Sequence, residues 1–174
     1  RCIAHLALMN DICEENTTFE AVDGLHTAEI NEDIVKLQMR SGIKFKINAD
    51  KDYIIDTGSP HYIHFDTIDK LEAIVEFGES IRYNDLYKKD GINVNVANLD
   101  NDIIHVATYE RGVEDETLSC GTGVTAAALA ANEKYNLPSP ISIKTKGGNL
   151  KVYFNRLGDT YEDVYLEGPA KFVF

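Results

Sequence analysis

The stretch that most limits what this chain can become is Val124-Thr125-Ala126-Ala127-Ala128-Leu129-Ala130-Ala131, eight residues without a charge. Alanine and leucine are strong helix formers, and the run is followed by Asn136-Leu137-Pro138, where a proline stops a helix. A helix on a surface needs a polar stripe, and the first two turns of this one have none. It is therefore expected to be enclosed by other elements on most sides.

The enclosing elements read as strands. Apolar residues elsewhere alternate over short stretches bounded by polar turns, which is the strand period. Thr18 to Val22 and Leu25 to Ile30 flank an Asp23-Gly24 turn as a hairpin. Ile34 to Met39, Ile43 to Ile47, Asp52 to Asp56 and His61 to Phe65 continue the pattern, the last two around a Gly58-Ser59-Pro60 corner. Ile92 to Leu99 pairs with Ile103 to Tyr109, and Ile141 to Thr145 with Leu150 to Phe154 across Gly147-Gly148. A second helix, amphipathic and at the surface, is expected over Leu71 to Phe77, with carboxylates of Asp66 to Asp69 at its start and Gly78 as its stop. Arg1 to Met9 reads as the tail of an apolar helix. At 174 residues and 44% apolar content a real core is available. The fold class expected is α+β, mainly β. Because the chain opens Arg1-Cys2-Ile3-Ala4-His5-Leu6, as if inside a helix, we expect it to be a C-terminal portion of a longer polypeptide.

The formal charge of -12 argues against binding nucleic acid or an anionic membrane. No apolar run approaches the ~18 residues needed to cross a bilayer, and no basic segment precedes a short apolar one. These features predict a soluble, cytoplasmic protein. Three cysteines are too few and too odd in number for a disulfide framework, and no Cys-x-x-Cys or His-x-x-x-His spacing supports a metal. Whatever the cysteines do should be thiol chemistry.

Thr117-Leu118-Ser119-Cys120-Gly121-Thr122-Gly123 joins a strand-rich stretch to the enclosed helix. Glycines 121 and 123 let backbone approach a ligand, and free N–H groups of a first helical turn favour an anion such as a carboxylate or phosphate. The same field would bring the Cys120 thiol toward its thiolate near neutral pH. A buried structural cysteine has the same local signature. Upstream, Glu110 and Arg111 stand side by side at a strand end, where the arginine can clamp a carboxylate or simply form a surface ion pair. His61, after the Gly58-Ser59-Pro60 corner, is a candidate acid, base or pKa tuner, whereas His5, His26, His64 and His105 lie on patterned segments as packing or surface residues. Cys120 with His61 could attack an acyl group. Alternatively Cys120 could move a proton at a carbon next to a carboxylate, where helix N–H groups would stabilise the enolate-like charge. Inverting that carbon needs a second acid on its other face. Cys2, in a helix, and Cys13, in a polar loop, are poorly placed to be it.

Tyr109-Glu110-Arg111-Gly112, then Ser119-Cys120-Gly121-Thr122-Gly123 and an Ala-rich helix, resembles the second half of diaminopimelate epimerases. Asp56-Thr57-Gly58-Ser59-Pro60-His61, Gly91-Ile92-Asn93-Val94-Asn95-Val96, Thr145-Lys146-Gly147-Gly148 and Leu166 to Phe174 extend the resemblance. Arg1-Cys2 looks like the end of the family's first cysteine motif, Cys-Gly-Asn-Gly-x-Arg-Cys. The resemblance implies cofactor-independent conversion of L,L-diaminopimelate to the meso form by two cysteines, in lysine and peptidoglycan precursor synthesis. Cys120 would be one of them. Gly121 and Thr122 would offer N–H groups to the reacting carboxylate, Glu110 would contact substrate and tune a thiol, and Asn93 and Arg111 would hold the distal end. His61 matches the histidine that adjusts the other cysteine, and Ser59 stands where many members carry Asn.

The same resemblance implies two pseudo-symmetric halves, each a β-rich sheet around a central helix. Residues 1–48 would be the remnant of the N-terminal half, 49–165 the C-terminal half, and 166–174 a strand returning to the first. It implies a small-molecule amino-acid substrate, no metal, no pyridoxal phosphate or other cofactor, and a homodimer. A chain lacking the first motif's leading cysteine would not epimerise. A proline-racemase-like relative and a Cys-nucleophile hydrolase are the competing readings.

Overall fold

The computed structural model describes residues 1–22 and 24–171. Helix α1 (Cys2–Met9) precedes the hairpin of β1 (Asn16–Ala21) and β2 (Gly24–Asn31), then β3 (Ile34–Gln38) and β4 (Phe45–Ile47). Strands β5 (Tyr53–Asp56) and β6 (Pro60–Phe65) form a second hairpin. Helices α2 (Ile68–Glu72) and α3 (Ile74–Arg82) then cross to β7 (Asn93–Asp100), β8 (Ile103–Glu110) and a short β9 (Asp115–Thr117). Helix α4 (Gly121–Tyr135) leads to β10 (Ile141–Thr145), β11 (Gly148–Leu157) and β12 (Thr160–Pro169). The sheet runs β1-β2-β3-β12-β11-β10-β8-β7-β6-β5-β4, with β9 against β8. Among the described residues only β6/β7 and β8/β10 pair in parallel, the two places where helices carry the crossover. The chain is thus the mainly β, mixed-sheet protein that the alternation predicts. No helix of the described residues is long and apolar enough to cross a membrane.

Every residue of α4 from Gly123 to Asn132 is buried. Strands β5, β6, β7, β8, β10, β11 and β12 all contact the helix. Ile43 and Tyr161 exchange two backbone hydrogen bonds of 3.0 and 2.9 Å, which ties the segment before β4 to β12 and brings the two ends of this stretch of sheet together. Alanine makes this possible, because its small side chain lets strands approach while Ile55, Ile63, Ile104, Ile143 and Tyr161 fill the space between. The helix ends where the sequence predicts. Asn136 adopts the left-handed conformation (φ 55°), and Asn132 Nδ2 donates to the Leu137 carbonyl at 2.7 Å.

Three expectations are corrected. The second helix is two, broken at Ala73, and α3 runs through Gly78 to Arg82 instead of stopping there. Gly78 faces β8, where a Cβ would collide with the Tyr109 side chain, so glycine serves packing rather than termination. Residues 115–117, outside every strand expected from the sequence, pair with Thr108 to Glu110 as β9. Finally, β11 begins at Gly148, already paired with Thr145.

Helix α1 is apolar as predicted, yet Ala4 is its one buried residue, packed with Ala28, Ile30, Val35 and Ala170. Ile3 is 81% exposed. Residues Tyr165 to Pro169 of β12 pair antiparallel with Gln38 to Ile34 of β3. The last three residues of the expected 166–174 strand, and Asp23 of the first turn, lie outside the described residues.

Candidate active site

Four chain segments meet at the N-terminus of α4: the β5–β6 corner, the start of β7, the end of β8 and the Cys120 turn. Cys120 is the N-cap residue of α4, in an extended conformation and 9% exposed. Its Sγ lies 3.4 Å from Thr122 Oγ1, which lies 2.9 Å from His61 Nε2. Thr57 Oγ1 donates to the Thr122 carbonyl at 2.9 Å, fixing the corner to the first helical turn. His61 and Asn93 are register partners on β6 and β7. Asn93 Nδ2 donates to Ser59 Oγ (2.8 Å) and to the Pro60 carbonyl (3.0 Å), while its Oδ1 accepts from the Arg111 backbone N–H at 2.9 Å. One asparagine thus holds the two loops that carry Ser59 and Arg111. The Arg111 guanidinium, exposed, donates to the Asp90 carbonyl at 2.9 Å. Glu110 ends β8, next to Arg111.

The expected shift of Cys120 is corrected. Burial pushes the thiol up from its ordinary range, and the nearby Glu110 charge adds to that. The Thr122 hydroxyl and the N–H groups of Gly123 and Thr122 act in the direction expected of a helix start, but the lost solvation outweighs them. At neutral pH Cys120 holds its proton. His61 is 0% exposed, and burial pushes it down to about 3; Asp56 opposes that shift and Arg111 adds to it. A histidine so placed is neutral, and both its ring nitrogens are engaged. It therefore has no lone pair free to activate Cys120 as a nucleophile, which removes the base that an acyl-transfer reading needs.

Two residues that sequence reasoning passed over complete the site. Asn95 Nδ2 lies 3.0 Å from His61 Nδ1, and Thr108 Oγ1 donates to Asn95 Oδ1 at 2.8 Å. The available signal was Asn93 and Asn95 at i and i+2, two amides on the same face of an apolar strand. Gly123 also has a different use from the one expected. A Cβ there would overlap Asn95 Oδ1 and stand 3.1 Å from His61 Cε1, so this glycine admits protein side chains rather than a ligand. All three cysteines are free, and Cys2 and Cys13 stand apart from this cluster: Cys2 is exposed on α1, and Cys13 packs near Ala4.

The family model described as diaminopimelate epimerase matches residues 53–173. A diaminopimelate epimerase of Flavobacterium psychrophilum is 44% identical over all of this chain, which spans 69% of that protein. One of Chlorobaculum tepidum is 39% identical over 90% of this chain, spanning 63% of its own length. Among solved structures, a hydroxyproline epimerase from Agrobacterium vitis with bound trans-4-hydroxy-L-proline superposes with a TM-score of 0.68 at 17% identity, covering 97% of this chain and 61% of that one. A PhzF-family phenazine biosynthesis protein of Bacillus anthracis does so at 0.68 and 11%, covering 95% and 70%. At such identities the likeness is one of fold.

Proposed function

The chain belongs to the diaminopimelate epimerase family, and we propose that Cys120 is one of two thiols that move the α-proton when L,L-diaminopimelate is converted to the meso form. The observation that carries this reading is the place of Cys120, buried at the N-cap of an enclosed helix with its sulfur 3.4 Å from Thr122 Oγ1, where burial pushes the thiol up. An α-proton beside a carboxylate is a weak acid, and removing it builds enolate-like charge. The N–H groups of Gly121 and Thr122 would stabilise that charge on the carboxylate, and no cofactor is then needed. A protonated Cys120 donates to one face of the carbanion, and in the reverse direction it takes the proton back. The opposite face requires the second thiol, for which the family's first cysteine motif is the source.

Asn93 and Arg111 would bind the distal end of the substrate, with Ser59 beside them, its hydroxyl shorter than the Asn of many relatives. Glu110 disfavours the Cys120 thiolate and so helps retain the proton. His61 acts as a neutral donor toward Thr122 rather than as an acid or base. On this reading residues 1–48 and 166–174 belong to one half and 49–165 to the other, with substrate between the halves. Closure would expel water and strengthen the charge stabilisation. The enzyme would be a cytoplasmic homodimer independent of pyridoxal phosphate, acting in lysine and peptidoglycan precursor synthesis. Residues 1–174 alone would exchange at most one face.

Proton NMR of L,L-diaminopimelate in heavy water with the intact reading frame tests the reading. Loss of the α-proton signal with appearance of the meso isomer is expected, with proline unchanged under the same conditions. Exchange of proline but not of diaminopimelate would overturn the substrate assignment.

A further inference from the structure

We infer that Asn95 is a positioning residue for Cys120: it sets the tautomer of His61 and, through Thr122, aims a hydroxyl proton at the cysteine sulfur. Its catalytic consequence rests on the function proposed above, whereas the arrangement itself follows from hydrogen-bond directions.

Asn95 is 0% exposed. Its amide oxygen accepts from Thr108 Oγ1 at 2.8 Å, and its nitrogen donates to the Tyr62 carbonyl at 3.2 Å. A carbonyl only accepts, so the amide cannot turn over without setting oxygen against oxygen. The same nitrogen faces His61 Nδ1 at 3.0 Å, and an amide nitrogen only donates. Nδ1 must then hold a lone pair, and neutral His61 carries its proton on Nε2. That proton goes to Thr122 Oγ1, 2.9 Å away. With its oxygen accepting from His61, the Thr122 hydroxyl is left to turn its own hydrogen toward Cys120 Sγ at 3.4 Å. The first three links, from Thr108 in the core to Thr122, have one direction; at the fourth either atom can donate, and the Thr122 hydrogen, which His61 does not need, is the one free for the sulfur. Gly123 makes room for this pair, since a Cβ there would run into both Asn95 and His61.

A donor aimed at sulfur favours the thiolate and so offsets part of the rise due to burial. It also holds the sulfur in one place. The charged group that acts on the thiol is Glu110 at the end of β8; His61 on β6 reaches it through Thr122, and Asp56 on β5 and Arg111 after β8 act on His61. Between Gly121 and Asn132, α4 itself has no ionisable side chain.

Two measurements without substrate test the inference. Nitrogen-15 NMR of the imidazoles, with His61 assigned through a His61→Gln variant, should show His61 neutral with its proton on Nε2 from pH 5 to 8. The pH midpoint of Cys120 alkylation by iodoacetamide, read on the Cys120 peptide by mass spectrometry, should rise by about one unit in Asn95→Ala. Thr122→Val should raise it similarly, the double variant no further, and Thr122→Ser should keep the original midpoint. A proton on Nδ1 in the unaltered protein, or additive shifts in the double variant, would overturn the inference. Should Asn95→Ala not fold, the tautomer in the unaltered protein decides alone. Because no substrate is used, a failure of epimerisation would leave this result standing, and the reverse holds too.

Discussion

His61 and His64 stand three residues apart on β6, on opposite faces, and the protein treats them in opposite ways. His61 points into the site, fully buried among Asn95 and Thr122, which are neutral, and is held uncharged. His64 points away, half-buried, with Nδ1 2.7 Å from Asp52 Oδ1 and Nε2 3.4 Å from Asp66 Oδ2. Its hydrogen bond with Asp52 raises its pKa, against the opposing effect of burial. Residue type is the same and strand is the same. What differs is burial, complete around His61 and partial around His64, together with the partners, an amide and a hydroxyl for one and two carboxylates for the other, and these decide which histidine can take up charge.

The largest effect should come from breaking the His61 side of this contrast. Gly123→Ala places a Cβ against Asn95 and His61. We expect a loss of about 1–3 kcal/mol in urea denaturation, as for overpacked cores, together with a changed alkylation profile at Cys120. On the other face, Asp52 is buried and accepts from the Tyr62 hydroxyl and from His64. Asp52→Asn should cost about 1–2 kcal/mol and return the His64 pKa toward its ordinary value, as followed by NMR titration. Epimerisation by the intact protein should be unaffected.

Both aspects of the contrast have a pH signature, and the signs are opposite. His61 protonates near ~6.5 when unfolded but only near 3 when folded, so it removes stability progressively as pH falls through that window. His64 has a raised folded pKa, so its contribution is full below ~6.5 and is lost as pH rises through the folded value. Urea midpoints between pH 8 and 5 should therefore fall less steeply for His61→Gln than for the parent, and more steeply for His64→Gln. The smallest effect is expected for Asp66→Asn. That carboxylate is partly exposed and at 3.4 Å from His64, and its loss should cost about 0.5 kcal/mol or less.

Most of the fold could be read from local pattern. The uncharged run of 124–131 announced an enclosed helix, and period-2 alternation located the strands around it. What local pattern missed depends on contacts far away in sequence. Gly78 looks like a helix stop until Tyr109, 31 positions later, is known to lie against it. Cys120 shows the same limit in the site: the helix start is visible in sequence, but the burial that reverses its effect on the thiol is supplied by strands from elsewhere in the chain. Asn95 was hidden for a related reason. A buried amide is costly unless satisfied, and its partners His61, Tyr62 and Thr108 come from two neighbouring strands. Residues of chemically distinctive type, such as Cys120, Arg111 and His61, could be singled out from sequence as candidates; Asn95, which contacts His61 directly, and Thr108, which does so through Asn95, could not.

On the proposed function the Cys120 sulfur handles the α-proton. Deuterium wash-in at the α-carbon of L,L-diaminopimelate, compared between the intact protein and its Cys120→Ala variant, tests it most directly. The variant, folded and with its remaining thiols reduced, should form meso product at least about 10²-fold more slowly. Turnover by Cys120→Ala within a few-fold of the parent would contradict it.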